Sequence, residues 1–109
     1  MIYVKINDTL YPASVSGRMF DKEWDNRESK AITLEMSYAA ASRLFVNGLA
    51  WSIVEDVEDE NGTIQQVEWD NSEFDVAGTI TDHRNGKVTA KMGKITDGEA
   101  LAELMEVLA

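Results

Sequence analysis

The stretch VAGTITDHRNGKVTAKMG, residues 76–93, decides the fold class. Asn85-Gly86 lies between two β-compatible runs, and an Asn-Gly pair in that position is a strong signal for a β-hairpin. A two-residue loop would set the apolar residues of the second run against polar residues of the first. A three-residue loop with a bulge at Gly86 gathers the apolar residues on one face, and because register follows burial we predict this second form. The residues that then share a face are Val88, Ala90 and Met92 with Ile80, Gly78 and Val76.

Other strands follow from the alternation of apolar and polar residues with period two. The predicted strands span 2–6, 10–15, 31–36 and 49–54, with a turn at Asn7-Asp8 and a further hairpin turn at Asn61-Gly62. Pro12 has no N–H donor, so the second strand is expected at a sheet edge, or with the Pro12 nitrogen pointing outward. Residues 16–29 are expected to form a polar excursion around Phe20 and Trp24.

Two helices complete the prediction. Ser37 is suited to cap a short helix at residues 38–46, and the Asn-Gly pair at 47–48 ends it. Thr96 and Glu99 form a capping box for a C-terminal amphipathic helix, whose apolar stripe we expect to pack onto the sheet. That stripe consists of Leu101, Leu104, Met105 and Leu108. The predicted fold class is therefore α+β, a predominantly antiparallel β-sheet with one short internal helix and a C-terminal amphipathic helix.

Length and composition describe a single domain over residues 1–109. The chain is 44% apolar and 28% charged, as globular domains are, and at 109 residues it can bury a core without covalent staples. It has no cysteine, which excludes disulfides, thiolate nucleophiles and Cys-ligated zinc. The sequence shows neither a signal-peptide pattern nor an apolar run of about 20 residues that could cross a bilayer, so we expect a cytoplasmic protein without membrane contact.

The net charge of −10 is concentrated in the middle of the chain. Residues 44–83 contain no Lys or Arg and ten of the twenty acidic residues, including the run EDVEDE at 55–60, whereas the remaining segments together are neutral. A negative field of this kind repels phosphate backbones, so direct nucleic-acid binding is not expected. A basic partner, a cation and solubility alone remain open as explanations of the charge.

The tetrapeptide EWDN occurs twice, at residues 23–26 and 68–71. A match of this kind hints at internal duplication. In one interpretation two equivalent loops build a paired binding site, which makes Trp24 and Trp69 the candidate partner-binding residues. In the other interpretation, which we favour, each Trp anchors a loop onto the core while the Asp and Asn form the turn that follows.

The sequence assigns no catalytic, cofactor-binding or metal-binding residue. An EF-hand alignment with Gly62 at position six puts Val57 at position one, where it cannot bind calcium, and the flanking segments are predicted strands. His83, the only histidine, has no orienting partner, and a surface location beside a hairpin turn is expected. Nucleotide-binding and hydrolase motifs are absent from the sequence. We therefore expect a protein that is not an enzyme and uses no cofactor.

Four segments carry a resemblance to known proteins over nearly the whole chain. They are NDTLYPASVSGR (7–18), WDNRESKAITL (24–34), LFVNGLAWSIV (44–54) and WDNSEFDVAGTITDHRNGKVTAKMGK (69–94). Together they resemble small uncharacterised proteins from prophage regions of Gram-positive bacteria. The resemblance implies an accessory product of a phage structural or tail gene cluster, in the cytoplasm or on the virion, and it assigns no functional residue.

The function expected from the sequence is that of a non-enzymatic phage-type accessory or structural (tail-region) protein, which contacts a phage or host protein. A β-rich domain with exposed edges can recruit such a partner by strand addition. The alternative is an acidic DNA-mimic inhibitor of a nucleic-acid-binding protein, which requires carboxylates spaced like phosphates on one elongated face. An enzyme would require a deep pocket with converging polar groups. The oligomeric state stays open.

Overall fold

The computed structural model describes residues 1–108, and for Leu108 the backbone alone. Within that range seven strands form one antiparallel sheet and two α-helices accompany it, which confirms the predicted fold class. The strands are β1 (Ile2–Ile6), β2 (Thr9–Asp21), β3 (Arg27–Glu35), β4 (Ser52–Glu58), β5 (Ile64–Asp70), β6 (Val76–Asp82) and β7 (Lys87–Gly93). The helices are α1 (Tyr38–Leu44) and α2 (Asp97–Leu108), and a 3₁₀ turn spans Lys22–Trp24.

The long strand β2 joins the two halves of the sheet. The strand order is β5-β4-β1-β2-β3-β7-β6, and the first part of β2 pairs with β1 while the second part pairs with β3. The change of partner falls between Pro12, which lies opposite Tyr3, and Ala13, which lies opposite Leu34. Pro12 is therefore in an inner strand and not at a sheet edge. A residue without an N–H donor is tolerated here because the β1–β2 ladder ends at Pro12 and the β2–β3 ladder begins at the next residue.

The β6–β7 hairpin has the predicted three-residue loop. The His83 N–H donates to the Lys87 carbonyl at 3.1 Å, which leaves residues 84–86 as the loop, with Gly86 at a φ of +88°. Ala90 lies opposite Ile80, so Ile80 shares the face of Val88, Ala90 and Met92 as expected. The expectation is wrong for Val76 and Gly78, because Val76 lies opposite Gly93 and Gly78 faces away from the core. A second irregularity between Ala77 and Ile80 was not predicted, and it moves the partner of Met92 to Ala77.

The hydrophobic core lies on one face of the sheet and is closed by α1. This helix begins as predicted, because the Ser37 Oγ accepts a hydrogen bond from the Ala40 N–H at 3.1 Å. The segment after β5 is fixed to the core by the indole N–H of Trp51, which donates to the Phe74 carbonyl at 2.9 Å. The core residues are Val4, Ile6, Ile32, Leu34, Ala41, Phe45, Trp51, Phe74, Val88, Ala90 and Met92.

Two strand boundaries differ from the sequence prediction. Residues 16–29 do not form a polar excursion, because β2 continues to Asp21 and β3 begins at Arg27. The side chains of residues 16–20 are exposed on both faces, so the extension has no alternating burial to reveal it. Likewise β4 starts at Ser52 and continues into the acidic stretch, where carboxylates at successive positions interrupt the apolar alternation.

Candidate functional site

Trp24 is seated on the face of the sheet opposite the core. It ends the 3₁₀ turn between β2 and β3, and its indole lies over Gly78 and Gly93. A Cβ on Gly78 would come within 2.7 Å of the Trp24 Cη2, so the ring fills the space that these glycines leave. The Arg27 guanidinium carbon stacks 4.6 Å from the centre of the indole. Trp24 therefore anchors the β2–β3 connection, and it is only partly exposed.

Beside Trp24 lies a buried ion pair. The Asp21 side chain is fully buried and accepts hydrogen bonds from the Lys91 ammonium at 2.8 Å and from the Ser29 hydroxyl at 3.0 Å. It also caps the 3₁₀ turn by accepting the Glu23 N–H at 3.1 Å. The hydrogen bond from Lys91 holds the pKa of Asp21 below its ordinary value. These contacts give the carboxylate a structural role.

The start of α2 is attached to the sheet by Arg27. Its guanidinium donates to the two Glu99 oxygens at 2.7 and 2.9 Å and to the Lys94 carbonyl at 2.7 Å. The hydrogen bonds from Arg27 lower the pKa of Glu99 from 4.5 to about 2. The predicted capping box is also formed, since Thr96 and Glu99 exchange side chain to backbone hydrogen bonds of 2.9 and 3.1 Å. Glu99 thus both caps α2 and docks it.

The apolar stripe of α2 faces away from the protein, so the prediction that it packs onto the sheet is wrong. All side chains described in α2 are exposed. The opposite side of the helix, with Glu99, Ala102 and Glu103, faces a groove of about 550 Å³. The exposed fractions along the stripe and beside it are 58% for Leu101, 56% for Leu104, 62% for Met105 and 81% for Val107. The Leu108 side chain, also in the predicted stripe, lies outside the described residues.

Trp69 lies on the edge strand β5, directly opposite Ile53 of β4. Its side chain is 47% exposed, although its register places it on the same face as the core residue Val4. The two EWDN copies therefore do not form equivalent loops, because the first begins inside the 3₁₀ turn and the second ends strand β5. Trp24 and Trp69 sit on opposite faces of the sheet and toward opposite edges. The structure does not bring them together, and their role in partner binding stays a prediction.

The acidic segment forms a two-stranded arm. β1 pairs with β4 as far as Ile2 opposite Glu55, and the Asp56 N–H still donates to the Met1 carbonyl at 3.0 Å. Beyond this point residues 57–65 form a hairpin of their own. At its tip, the Asp59 carboxylate accepts the backbone N–H groups of Asn61 and Thr63, each at 2.9 Å. Asp59, which would occupy position three of the EF-hand alignment, thus shapes the hairpin turn instead. Over residues 1–108 no three His, Asp or Glu side chains are grouped so as to hold a metal ion.

His83 is exposed beside the β6–β7 turn, as predicted, and its Nε2 lies 2.7 Å from the Thr89 Oγ1.

Across the described part of the chain, no helix has the length and apolar character needed to cross a bilayer. Comparison with protein-family models, curated proteins and solved structures finds no significant match. The most distinctive exposed features of the described residues are the α2 stripe, strand β5 and the acidic arm.

Proposed function

We propose that the protein is a non-enzymatic accessory or structural module of phage type that acts through protein–protein contacts. The single observation that carries the protein–protein contacts of this proposal is the exposed apolar stripe of α2, in which Leu101, Leu104 and Met105 are each more than half exposed. Apolar side chains gathered on one side of a helix favour burial against a partner, and helix-in-groove docking is a common form of such recognition. The ion pair between Arg27 and Glu99 presents this helix at a defined place.

The charge of α2 indicates the chemistry of its partner. The helix contains Asp97, Glu99, Glu103 and Glu106 and no Lys or Arg. Two copies of α2 packed together would therefore bring like charges into contact around the apolar stripe. A partner protein with an apolar groove and a basic rim fits the helix better. The assignment to a phage accessory or tail-region role, in the cytoplasm or on the virion, rests on the sequence resemblance alone.

A second candidate function, that of an acidic DNA mimic, is favoured by the β4–β5 arm. The arm projects beyond β1, and its run at 55–60 contains five carboxylates. The molecule is elongated, with a longest dimension of 57 Å. Binding of a basic nucleic-acid-binding protein through this arm would weaken steeply with salt.

Affinity capture from phage-infected or induced host lysate, followed by titration of the purified partner, separates the two functions. The stripe variant carries Leu101→Ser, Leu104→Ser and Met105→Ser. The arm variant replaces Glu55, Asp56, Glu58, Asp59 and Glu60 with Gln or Asn. We expect the stripe variant to lose the partner and the arm variant to keep it. Binding that depends on the arm and on low salt, with the stripe variant unaffected, would replace the proposed function with the mimic.

A further inference from the structure

Strand β5 forms the edge of the sheet that lies farther from α2. We propose that strand β5 binds an extended segment of a partner protein in which apolar and basic residues alternate, and that this segment adds to the sheet as a further strand. The inference goes beyond the role proposed for α2 and stands on separate observations. They concern the free strand edge, the two faces of β5 and the charge around it.

The first observation is the exposure of β5. In the described chain this strand pairs with β4 and with no other strand, and all 7 of its residues are exposed. An edge strand presents a row of unpaired backbone N–H and C=O groups, which another strand can satisfy. Edges of this length are commonly protected by charged side chains, Lys above all, by Pro or by a bulge, and the charges of β5 are the carboxylates of Glu68 and Asp70. β5 has no Lys or Pro in its sequence, and its ladder with β4 is continuous from Ile64 to Asp70.

The second observation is the difference between the two faces of β5. Val67 and Trp69 point to the face that bears the core, and they are 37% and 47% exposed. Trp69 lies opposite Ile53, which packs against the core, so the apolar surface continues onto the edge strand. Glu68 and Asp70 point to the other face, because successive side chains of a strand alternate. An added strand would therefore meet apolar groups on one face and carboxylates on the other.

The third observation is the charge, which selects a basic segment. Between Arg43 and Arg84 the sequence has no Lys or Arg, so β4, β5 and their turn offer no cation of their own. Lys5 of β1 reaches Glu68 at 3.2 Å, but this pair is exposed and leaves Asp70 and the arm carboxylates uncompensated. Self-pairing of two β5 edges would bring two such acidic arms together, which is unfavourable. Lys or Arg at alternate positions of an added strand would lie next to Glu68 and Asp70.

The probe is a fluorescein-labelled peptide of the same length as β5, Lys-Val-Lys-Val-Lys-Val-Lys, titrated with the full chain and followed by anisotropy. A control peptide has its central Val replaced by Pro, which removes one donor and interrupts the ladder. We expect saturable binding of the first peptide and at least about tenfold weaker binding of the second, since added strands bind through main-chain hydrogen bonds. Amide hydrogen exchange of the unmodified chain should show new protection in β5.

Two charge-matched variants test where the peptide binds. Glu68→Gln with Asp70→Asn should weaken binding at least about tenfold, because it removes the charges beside the basic positions. Glu103→Gln with Glu106→Gln removes the same charge from α2 and should leave the affinity unchanged. Trp69→Ala, at a half-exposed position, should weaken binding without unfolding the protein, which circular dichroism would verify.

The proposal is overturned by an absence of saturable binding, by equal affinity for the Pro peptide, or by protection outside β5. Equal losses in the two charge variants would also overturn it, since they would indicate attraction to the net charge alone. The comparison of the two peptides uses the unmodified protein, so a folding defect of a variant cannot hide the result. Because α2 takes no part in peptide binding, this test can fail while stripe-dependent capture succeeds, and the reverse also holds.

Discussion

The guanidinium of Arg27 in β3 donates two hydrogen bonds, of 2.7 and 2.9 Å, to the carboxylate of Glu99 in the first turn of α2. These residues are 72 positions apart in the sequence. The Arg27 side chain is 4% exposed and the Glu99 side chain 45%, so the pair lies at the boundary of the protein interior. It fixes the polar side of α2 to the sheet and thereby turns the apolar side outward.

Acid should weaken the attachment of α2. The folded-state pKa of Glu99, about 2, is below its ordinary value of 4.5. The stability that the Arg27–Glu99 pair adds to the folded state is therefore fully present above about pH 4.5 and is lost as the pH falls through about 2. Urea unfolding midpoints measured across this range should fall less steeply for Glu99→Gln than for the unmodified chain. Glu106→Gln, two turns farther along α2, is the control and should preserve the original slope.

Leu104→Ala should cost about 0.5 kcal/mol or less of the free energy of unfolding, because the side chain is 56% exposed. Ile32→Ala, at a fully buried position of β3, should cost about 2–5 kcal/mol. Urea denaturation of both variants gives the comparison. A loss for Leu104→Ala as large as that for Ile32→Ala would mean that α2 packs its stripe inward in solution.

Gly78→Ala should destabilise the protein by about 1–3 kcal/mol, because the added methyl group meets the Trp24 ring. The cost should shrink when Trp24 is replaced by Ala, and a double-mutant cycle measures that coupling. Gly98→Ala is the matched control, since its Cβ would have only the Thr96 hydroxyl nearby, at 4.0 Å. A Gly78→Ala cost that is the same in both backgrounds would contradict the seating of Trp24.

Calcium at millimolar concentration should not raise the melting temperature beyond the effect of equal ionic strength. The Asp59 carboxylate is occupied by backbone N–H groups of its own turn, and Val57 offers no side-chain ligand. Specific binding to the folded state would add about 2.7 kcal/mol at a hundredfold excess over the dissociation constant. A calorimetric titration that saturates near one ion per chain would contradict this expectation.

The parts of the fold that depend on neighbours in sequence were predictable. The Ser37 cap, the Thr96–Glu99 capping box and the three-residue loop at 84–86 each follow from a few adjacent residues, and each is present. The continuation of β2 to Asp21 was not predictable, because its exposed side chains give no burial pattern. The irregularity around Gly78 lies against the ring of Trp24, which is far away in sequence.

The candidate surfaces were harder to predict for a related reason. Helical spacing identified the stripe of Leu101 and Leu104, but spacing cannot say whether a stripe meets the sheet or solvent. That outcome depends on Arg27, whose contact with Glu99 has no local signature. The sequence singled out Trp24 and Trp69 as a pair, yet one is seated against glycines and the other lies on an edge strand. Identical tetrapeptides take different structures because their tertiary surroundings differ.

The partner exchange along β2 also bears on how the chain folds. The hairpins β1–β2, β2–β3, β4–β5 and β6–β7 join strands that are adjacent in sequence, and hairpins of this kind form in about 1–10 μs. The remaining ladders are distant: Thr33 of β3 meets Thr89 of β7 across 56 positions, and Tyr3 of β1 meets Asp56 of β4 across 53. Closing such long loops costs chain entropy before the contacts of the core can stabilise the chain, and this slows folding. The three-stranded meander β1–β2–β3 lies between the hairpins β4–β5 and β6–β7, and we expect its local ladders to form before the distant ladders on either side of it.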